Sequence, residues 1–184
     1  DRKVAEIPSD LSLAERAQAT AEALQRGDDV IYHAAFLQPP WHGFADFLRR
    51  VEKRSALGPF AYEPIDTKLA RTAAPEHVIQ LCTYAEMLGA VQGVTPERVH
   101  LALGDGSELT LRLADFEHFY RRARERLEAY VRKPPATSTP EPCAMCEFCK
   151  WQDLCFEEWK RIDHLSQVVN IRRSQIEKLR SACV

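Results

Sequence analysis

Apolar and β-prone residues are grouped in short runs that predict a β-sheet. Residues 29–38, 44–52 and 60–72 have the composition of strands, with Pro39–Gly43 as a turn between the first two and residues 53–59 as a loop after the second. Residues 98–115 read as a hairpin, because leucines alternate on both sides of the turn Gly104–Ser107. The pattern therefore predicts five strands.

Three longer segments have the spacing of amphipathic helices. The first covers residues 9–26, with Ser9 or Asp10 as its cap and Gly27 at its end, and the second covers residues 74–93, opened by Pro75 and closed by Gly93. The third covers residues 115–133, and the tail reads as two short helices joined at Asn170. Strands interrupted by helices in this order predict an α/β fold with a mixed sheet flanked by helices.

Composition narrows the class of protein. The chain has 184 residues, of which 45% are hydrophobic and 28% charged, with a net charge of −2. This balance disfavours binding to nucleic acid by overall charge alone, although a local basic groove remains open. Basic clusters at 49–54, 121–126 and 172–180 read as solvated faces unless one of them borders a site. No membrane span or secretory signal is seen, so we expect a cytoplasmic protein.

Asp66 and Lys68 are the first candidates for chemistry, because residues two apart on a strand project from the same face. A surface ion pair at a strand end is the alternative. If the two preceding strands form a hairpin, Asp46 reaches the same sheet end as Asp66. Two carboxylates there would bind Mg²⁺ or Mn²⁺, and Lys68 would orient water or offset developing charge. Gln80 and Tyr84 then share one face of the next helix.

These residues, in this order, resemble the PD-(D/E)xK nuclease superfamily and its RecB-like branch. The phrases "HGFADFLRR", "YEPIDTKLART" and "VIQLCTYAEMLGAVQG" are similar to RecB-like nucleases often joined to helicase-type domains, and the similarity covers roughly residues 29–180. It implies metal-dependent cleavage of DNA, single-stranded or with ends, in repair or processing. Asp46 and Asp66 would hold the metal, Lys68 would be the catalytic lysine, and Gln80 and Tyr84 would contact substrate.

One departure from this branch is a missing histidine. The branch usually carries a metal-binding histidine, often preceded by a cysteine, on a helix before its first strand, and we expect these upstream of residue 1. The five histidines up to His118 show no ligand spacing and read as surface or packed residues, with His33 the best placed of them as an extra ligand. An inactive nuclease-like DNA-binding module linked to a helicase is therefore the alternative function.

Four cysteines, Cys143, Cys146, Cys149 and Cys155, lie within 13 residues, a crowding that predicts a metal centre rather than disulfides. The last three resemble the C-terminal cysteines of iron–sulfur nucleases in the RecB-like branch. That resemblance implies a [4Fe–4S] cluster of structural role, with Zn²⁺ as the alternative. Cys82 reads as a buried apolar residue. We expect a nuclease-like core over 1–133, a linker and cysteine segment over 134–160, and a tail over 161–184 that resembles the start of a helix–hairpin–helix element.

Overall fold

The computed structural model describes residues 2–182 and shows an α/β fold built on one mixed sheet. The strands are β1 (Val4–Glu6), β2 (Val30–Gln38), β3 (Trp41–Val51), β4 (Ala61–Lys68), β5 (Arg98–Leu103) and β6 (Glu108–Arg112). The α-helices are α1 (Leu13–Arg26), α2 (Pro75–Gln92), α3 (Glu117–Arg132), α4 (Gln152–Arg161) and α5 (Arg173–Ser181). Short 3₁₀ turns cover Leu113–Asp115, Ala144–Phe148 and Leu165–Gln167.

The six strands lie in sequence order across the sheet. β2, β3 and β4 form an antiparallel meander, whereas β4 pairs with β5 in parallel because α2 carries the chain back between them. β5 and β6 form the expected hairpin. This mixed arrangement confirms the α/β class and the mixed sheet.

The apolar core lies where α1 and α2 pack on the sheet. Leu24 of α1, Leu88 of α2, and Ile31, Leu48 and Tyr62 of the strands belong to one buried cluster. A second, smaller cluster joins α2 to β5. Burial of an aliphatic side chain contributes roughly 1.5–3 kcal/mol, so these contacts hold both helices against the strands.

The ends of α1 and α2 show how local sequence sets the elements. Ser12, rather than Ser9 or Asp10, caps α1: its hydroxyl accepts from the Glu15 amide, and the Glu15 carboxylate accepts from the Ser12 amide. Gly27 ends α1 with a φ of +73°, as its lack of Cβ favours. Pro75 occupies the first turn of α2 and Gly93 follows its end, both as predicted.

Three further features differ from what the sequence predicts. No sequence pattern predicts β1, since its three residues are too few to show one. The predicted turn over Pro39–Gly43 is confined to its two prolines, because Trp41 already begins β3 and pairs with Gln38. In the tail, only α5 is a helix of the predicted pair, and the segment before Asn170 holds a single 3₁₀ turn. Pairing to a neighbouring strand outweighs the turn signal of the prolines.

The chain divides into two compact units, one up to Ala129 and one from Tyr130, so the division falls in the last turn of α3. No residue of α3 is buried, and Phe119 and Leu127 are half exposed at 55% and 50%. In the second unit Trp159 and Ile176 are buried, and the Trp159 indole donates to the Pro140 carbonyl over 2.6 Å. No described helix is long and apolar enough to cross a membrane.

Candidate active site

β3 and β4 separate at the point where the candidate acids lie. Their pairing runs from Val51 opposite Ala61 to Phe47 opposite Ile65 and then stops. One further step along this register would set Asp46 opposite Asp66. At this point the Thr67 amide donates to the Asp46 carboxylate over 2.7 Å and not to a backbone carbonyl of β3. The Thr67 hydroxyl donates to the same carboxylate oxygen. The separation of the strands thus fixes one oxygen of Asp46 between them.

Asp66 is buried beside Lys68. The Asp66 side chain is 2% exposed and that of Lys68 24%, and the ammonium forms an ion pair with Oδ2 of Asp66. Within the described residues, this buried oxygen has no hydrogen-bond donor apart from that ammonium. Burial raises the pKa of the Asp66 carboxyl, the Lys68 ammonium opposes the rise, and the negative charge of Asp46 adds to it. The carboxylates of Asp46 and Asp66 therefore repel each other, and the Lys68 ammonium offsets part of their negative charge.

Gln80 and Tyr84 of α2 complete the group predicted from the sequence. The Gln80 amide donates to the Tyr84 hydroxyl over 2.5 Å. Burial raises the pKa of Tyr84, and the charges of Asp66 and Asp46 raise it further, so this hydroxyl stays protonated at neutral pH. Because the hydroxyl oxygen already accepts from Gln80, its own proton is left to donate to another group. Tyr84 thus lies within electrostatic range of Asp46 and Asp66, and Gln80 is linked to these acids through its contact with Tyr84.

Gly43 allows α2 to lie this close to β3. A Cβ at this position would stand 2.8 Å from Cε1 of Tyr84 and 2.9 Å from the Met87 methyl group. Real Cβ atoms essentially never come so near, so a larger residue would displace the Tyr84 ring. The glycine before Asp46 in the sequence is therefore explained by packing against Tyr84.

His77 belongs to the same region, although its position in the sequence shows no ligand spacing. It precedes Gln80 and Tyr84 on α2, and its charge, when it is protonated, lowers the pKa of Asp66. Its Nδ1 accepts from the Ala74 amide over 3.2 Å, which leaves the proton of the neutral ring on Nε2. A spacing of three and seven residues to Gln80 and Tyr84 is the signal that could have indicated it.

The donor set of the site suits a hard divalent cation. Asp46 and Asp66 supply carboxylate oxygens, the ligands that Mg²⁺ and Mn²⁺ prefer. The buried Oδ2 of Asp66, with a single cationic partner, is the observation that favours such an ion. In residues 2–182, no group of three or more His, Cys, Asp and Glu side chains is arranged around a common metal position. Water or substrate oxygens would complete the coordination.

The cysteine segment lies in the second unit. Cys143 and Cys146 bring their sulfurs within 3.9 Å, and the Cys143 amide donates to Sγ of Cys146 over 3.3 Å. Cys149 is exposed and Cys155 partly exposed, and all four of these thiols are free. Two of the four predicted ligands are therefore adjacent, and the thiolate chemistry suits iron or zinc. Cys82 is buried on α2, as predicted, and Cys183 lies outside the described residues.

The basic cluster after Asp46 is held largely by carboxylates. Arg49 pairs with Glu108, Arg50 with Asp29, and Lys53 with Glu97. These three basic side chains therefore do not form a simple solvated face, because neighbouring carboxylates partly neutralise their charge. His100 is buried on the sheet between Glu63 and Glu108, where it is a packed, hydrogen-bonded histidine.

No protein-family model matches the chain, and no curated protein matches its sequence.

Proposed function

We propose that the chain is a RecB-like, Mg²⁺- or Mn²⁺-dependent deoxyribonuclease with a PD-(D/E)xK-type core. The observation that carries the proposal is the convergence of Asp46, Asp66 and Lys68 where β3 and β4 separate. Ordinary surface ion pairs do not bury a carboxylate to 2% exposure beside a second acid. Perturbed acids of this kind are typical of sites that bind metal or catalyse reactions.

The two carboxylates would hold the cation, Asp66 from its buried side and Asp46 from its anchor on Thr67. When bound, a divalent cation supplies the Lewis acidity that activates water and the phosphodiester. The Lys68 ammonium, still 24% exposed, can offset the negative charge that develops on the phosphoryl oxygens.

α2 supplies the groups that would position the phosphate. The Tyr84 hydroxyl stays protonated because of its raised pKa, so it can donate to a phosphoryl oxygen. Gln80 orients that hydroxyl by donating to it. These roles require no sequence-specific contact with a base, which favours a substrate recognised through its backbone.

The proposed substrate is DNA, single-stranded or with free ends, and the process is repair or DNA processing. Cleavage would be coupled to a helicase-type domain, in the same chain or in a partner. This assignment follows from the resemblance of the motifs around Asp46, Asp66 and Tyr84 to RecB-like nucleases.

A [4Fe–4S] cluster, or alternatively Zn²⁺, is proposed for the second unit. Cys143 and Cys146 are already adjacent, and Cys149 and Cys155 offer two further accessible thiols. A centre of this kind would be structural, since it would tie together a segment with little buried apolar surface.

The direct test replaces Asp66 by asparagine in the full chain. Cleavage of end-labelled single-stranded and duplex DNA is measured with Mg²⁺ or Mn²⁺ and again with EDTA. We expect Asp66→Asn to reduce metal-dependent cleavage more than about 100-fold, beyond the usual effect of a residue that only supports a metal ligand. Asp28→Asn is the matched control, because Asp28 is also a buried carboxylate but pairs with Arg26.

Two results would decide against the nuclease. Cleavage by folded Asp66→Asn at the parental rate would remove the proposed site. DNA binding by the parent without Mn²⁺ uptake in calorimetry, and without cleavage, would identify an inactive nuclease-like DNA-binding module instead.

A further inference from the structure

His33 interrupts β2 directly across from Asp46. The β2–β3 register pairs Tyr32 with Phe47 and Ala34 with Ala45, and it leaves His33 and Asp46 unpaired between them. His33 has a φ of +57°, which is the left-handed region and is uncommon for a residue with a side chain. Such a conformation persists only where the surroundings hold it in place.

The interruption shifts the alternation of side chains in both strands. The residues that belong to the main buried core cluster are Ile31, Ala34 and Phe36 on β2 and Ala45 and Leu48 on β3. A regular strand turns every second residue to one face, as Ala34 and Phe36 do. In contrast, Ile31 and Ala34 are three apart, and so are Ala45 and Leu48. Each strand therefore has two successive residues between its core positions, and on β2 the rings of Tyr32 and His33 stack with centroids 3.6 Å apart. On β3 this interval contains Asp46.

Arg16 of α1 holds the interruption. Its guanidinium donates to the His33 carbonyl over 3.2 Å and lies 4.5 Å above the centre of the Phe44 ring. Its Nε is fully buried and has no acceptor in the described part of the chain. Arg16 thus contacts His33, which lies opposite Asp46 on β2, and Phe44, which precedes Asp46 by two residues on β3.

We propose that Arg16 and His33 are positioning residues for Asp46. Arg16 captures the His33 carbonyl, which keeps His33 left-handed and prevents regular pairing between His33 and Asp46. Asp46, released from β2, can then place its carboxylate on Thr67. A role of Arg16 and His33 in catalysis rests on the proposed nuclease function, in which Asp46 would be a metal ligand.

His33→Gly and His33→Val separate the backbone conformation from the imidazole. Glycine adopts a positive φ readily, whereas valine strongly disfavours it and favours regular strand pairing. We expect His33→Gly to retain Mn²⁺ affinity and cleavage within about threefold of the parent. We expect His33→Val to lose at least about tenfold in both, the loss typical of removing support from a metal ligand.

Hydrogen exchange of the Thr67 amide provides a measurement that does not depend on activity. Since Asp46 accepts from this amide, His33→Val should accelerate its exchange at least about tenfold, while His33→Gly leaves it unchanged. Equal behaviour of the two variants would overturn the proposal. Equal loss of Mn²⁺ affinity in both would instead indicate a role of the imidazole as a ligand.

Arg16→Lys covers the case in which His33→Val does not fold. Lysine keeps the charge but lacks the planar group that reaches the carbonyl and the Phe44 ring together. We expect faster Thr67 exchange and weaker Mn²⁺ binding, with unchanged values in the control Arg26→Lys on the same helix. Unchanged exchange in Arg16→Lys would overturn the proposal. Faster exchange in a chain whose parent cleaves no DNA would leave the positioning intact and refute only the nuclease.

Discussion

Burial of the Asp66 carboxylate makes the stability of the chain depend on pH. Its pKa is raised by burial in spite of Lys68, so the folded protein keeps a proton that the unfolded chain releases. Below the ordinary carboxyl pKa, Asp66 is protonated in both the folded and the unfolded state, and its ionisation does not lower the free energy of unfolding. As the pH rises from there through the raised pKa, the free energy of unfolding therefore falls.

Asp66→Asn, which resembles the protonated acid, should be more stable than the parent at about pH 8 without metal. The gain should shrink as the pH approaches about 4. Thermal unfolding in EDTA measures both, and Asp115→Asn is the control of opposite sign because Arg112 lowers the pKa of Asp115. A melting temperature of Asp66→Asn below that of the parent at pH 8 would contradict the reasoning.

At the scale of single residues, the sequence alone indicates the candidate site residues but not the residues that would position them. Asp46, Asp66 and Lys68 have residue types and spacings that suggest chemistry by themselves. Arg16 and His33 do not, because their role depends on a left-handed backbone and a carbonyl contact between distant residues. Single-residue backbone conformations of this kind leave no periodic signal in the sequence.

The packing of α2 on β3 provides a prediction at the scale of elements. Gly43→Ala should displace the Tyr84 ring and cost about 1–3 kcal/mol of stability, the usual range for overpacking. DNA cleavage should fall at least about tenfold, because the Tyr84 hydroxyl leaves its position. Both are measured on one preparation, by chemical denaturation and by the cleavage assay.

Gly89→Ala is the matched control near the C-terminal end of α2, where a Cβ would meet Thr95 at 3.1 Å and not Tyr84. Its stability balances this close contact against the helix propensity that alanine gains over glycine. The cleavage rate of the folded protein should stay within about twofold, since Thr95 is no part of the proposed site. Equal loss of cleavage in both variants would mean that stability, rather than the position of Tyr84, determines the rate.

Elements with a strong local signal were predictable, and those defined by distant pairing were not. α2 has Pro75 and Gly93 at its ends, and the β5–β6 hairpin has alternating leucines around a glycine-rich turn. β1 has three residues and exists because it pairs with β2. The separation of β3 and β4, which creates the candidate site, is likewise a property of the sheet and not of either strand.

At the scale of the whole molecule, the metal content distinguishes a cluster from zinc. The chain purified without oxygen should be brown and contain about four irons and four sulfides, as a [4Fe–4S] cluster requires. Cys149→Ser should lose most of this iron, whereas Cys82→Ala, which removes a buried thiol of the first unit, should retain it. Elemental analysis and absorption spectra decide, and one zinc per chain with little iron would refute the cluster.

Apart from β1, the first unit has the order of elements predicted from the sequence, whereas α5 is the one α-helix of the described second unit that the sequence predicted. Few of its residues are buried, so apolar periodicity carries little information there. Its ordered contacts, such as Arg180 with Glu141 and Trp159 with Pro140, join residues 19 or more apart and depend on tertiary structure.

The half-exposed Phe119 and Leu127 of α3 have a practical consequence for handling the protein. Apolar side chains that are exposed on a helix promote association between protein molecules as the protein concentration rises. We therefore expect the elution volume in gel filtration to drift with sample concentration, and mild detergent or Leu127→Gln to suppress the drift. Enzymatic assays are best carried out on dilute, freshly filtered preparations.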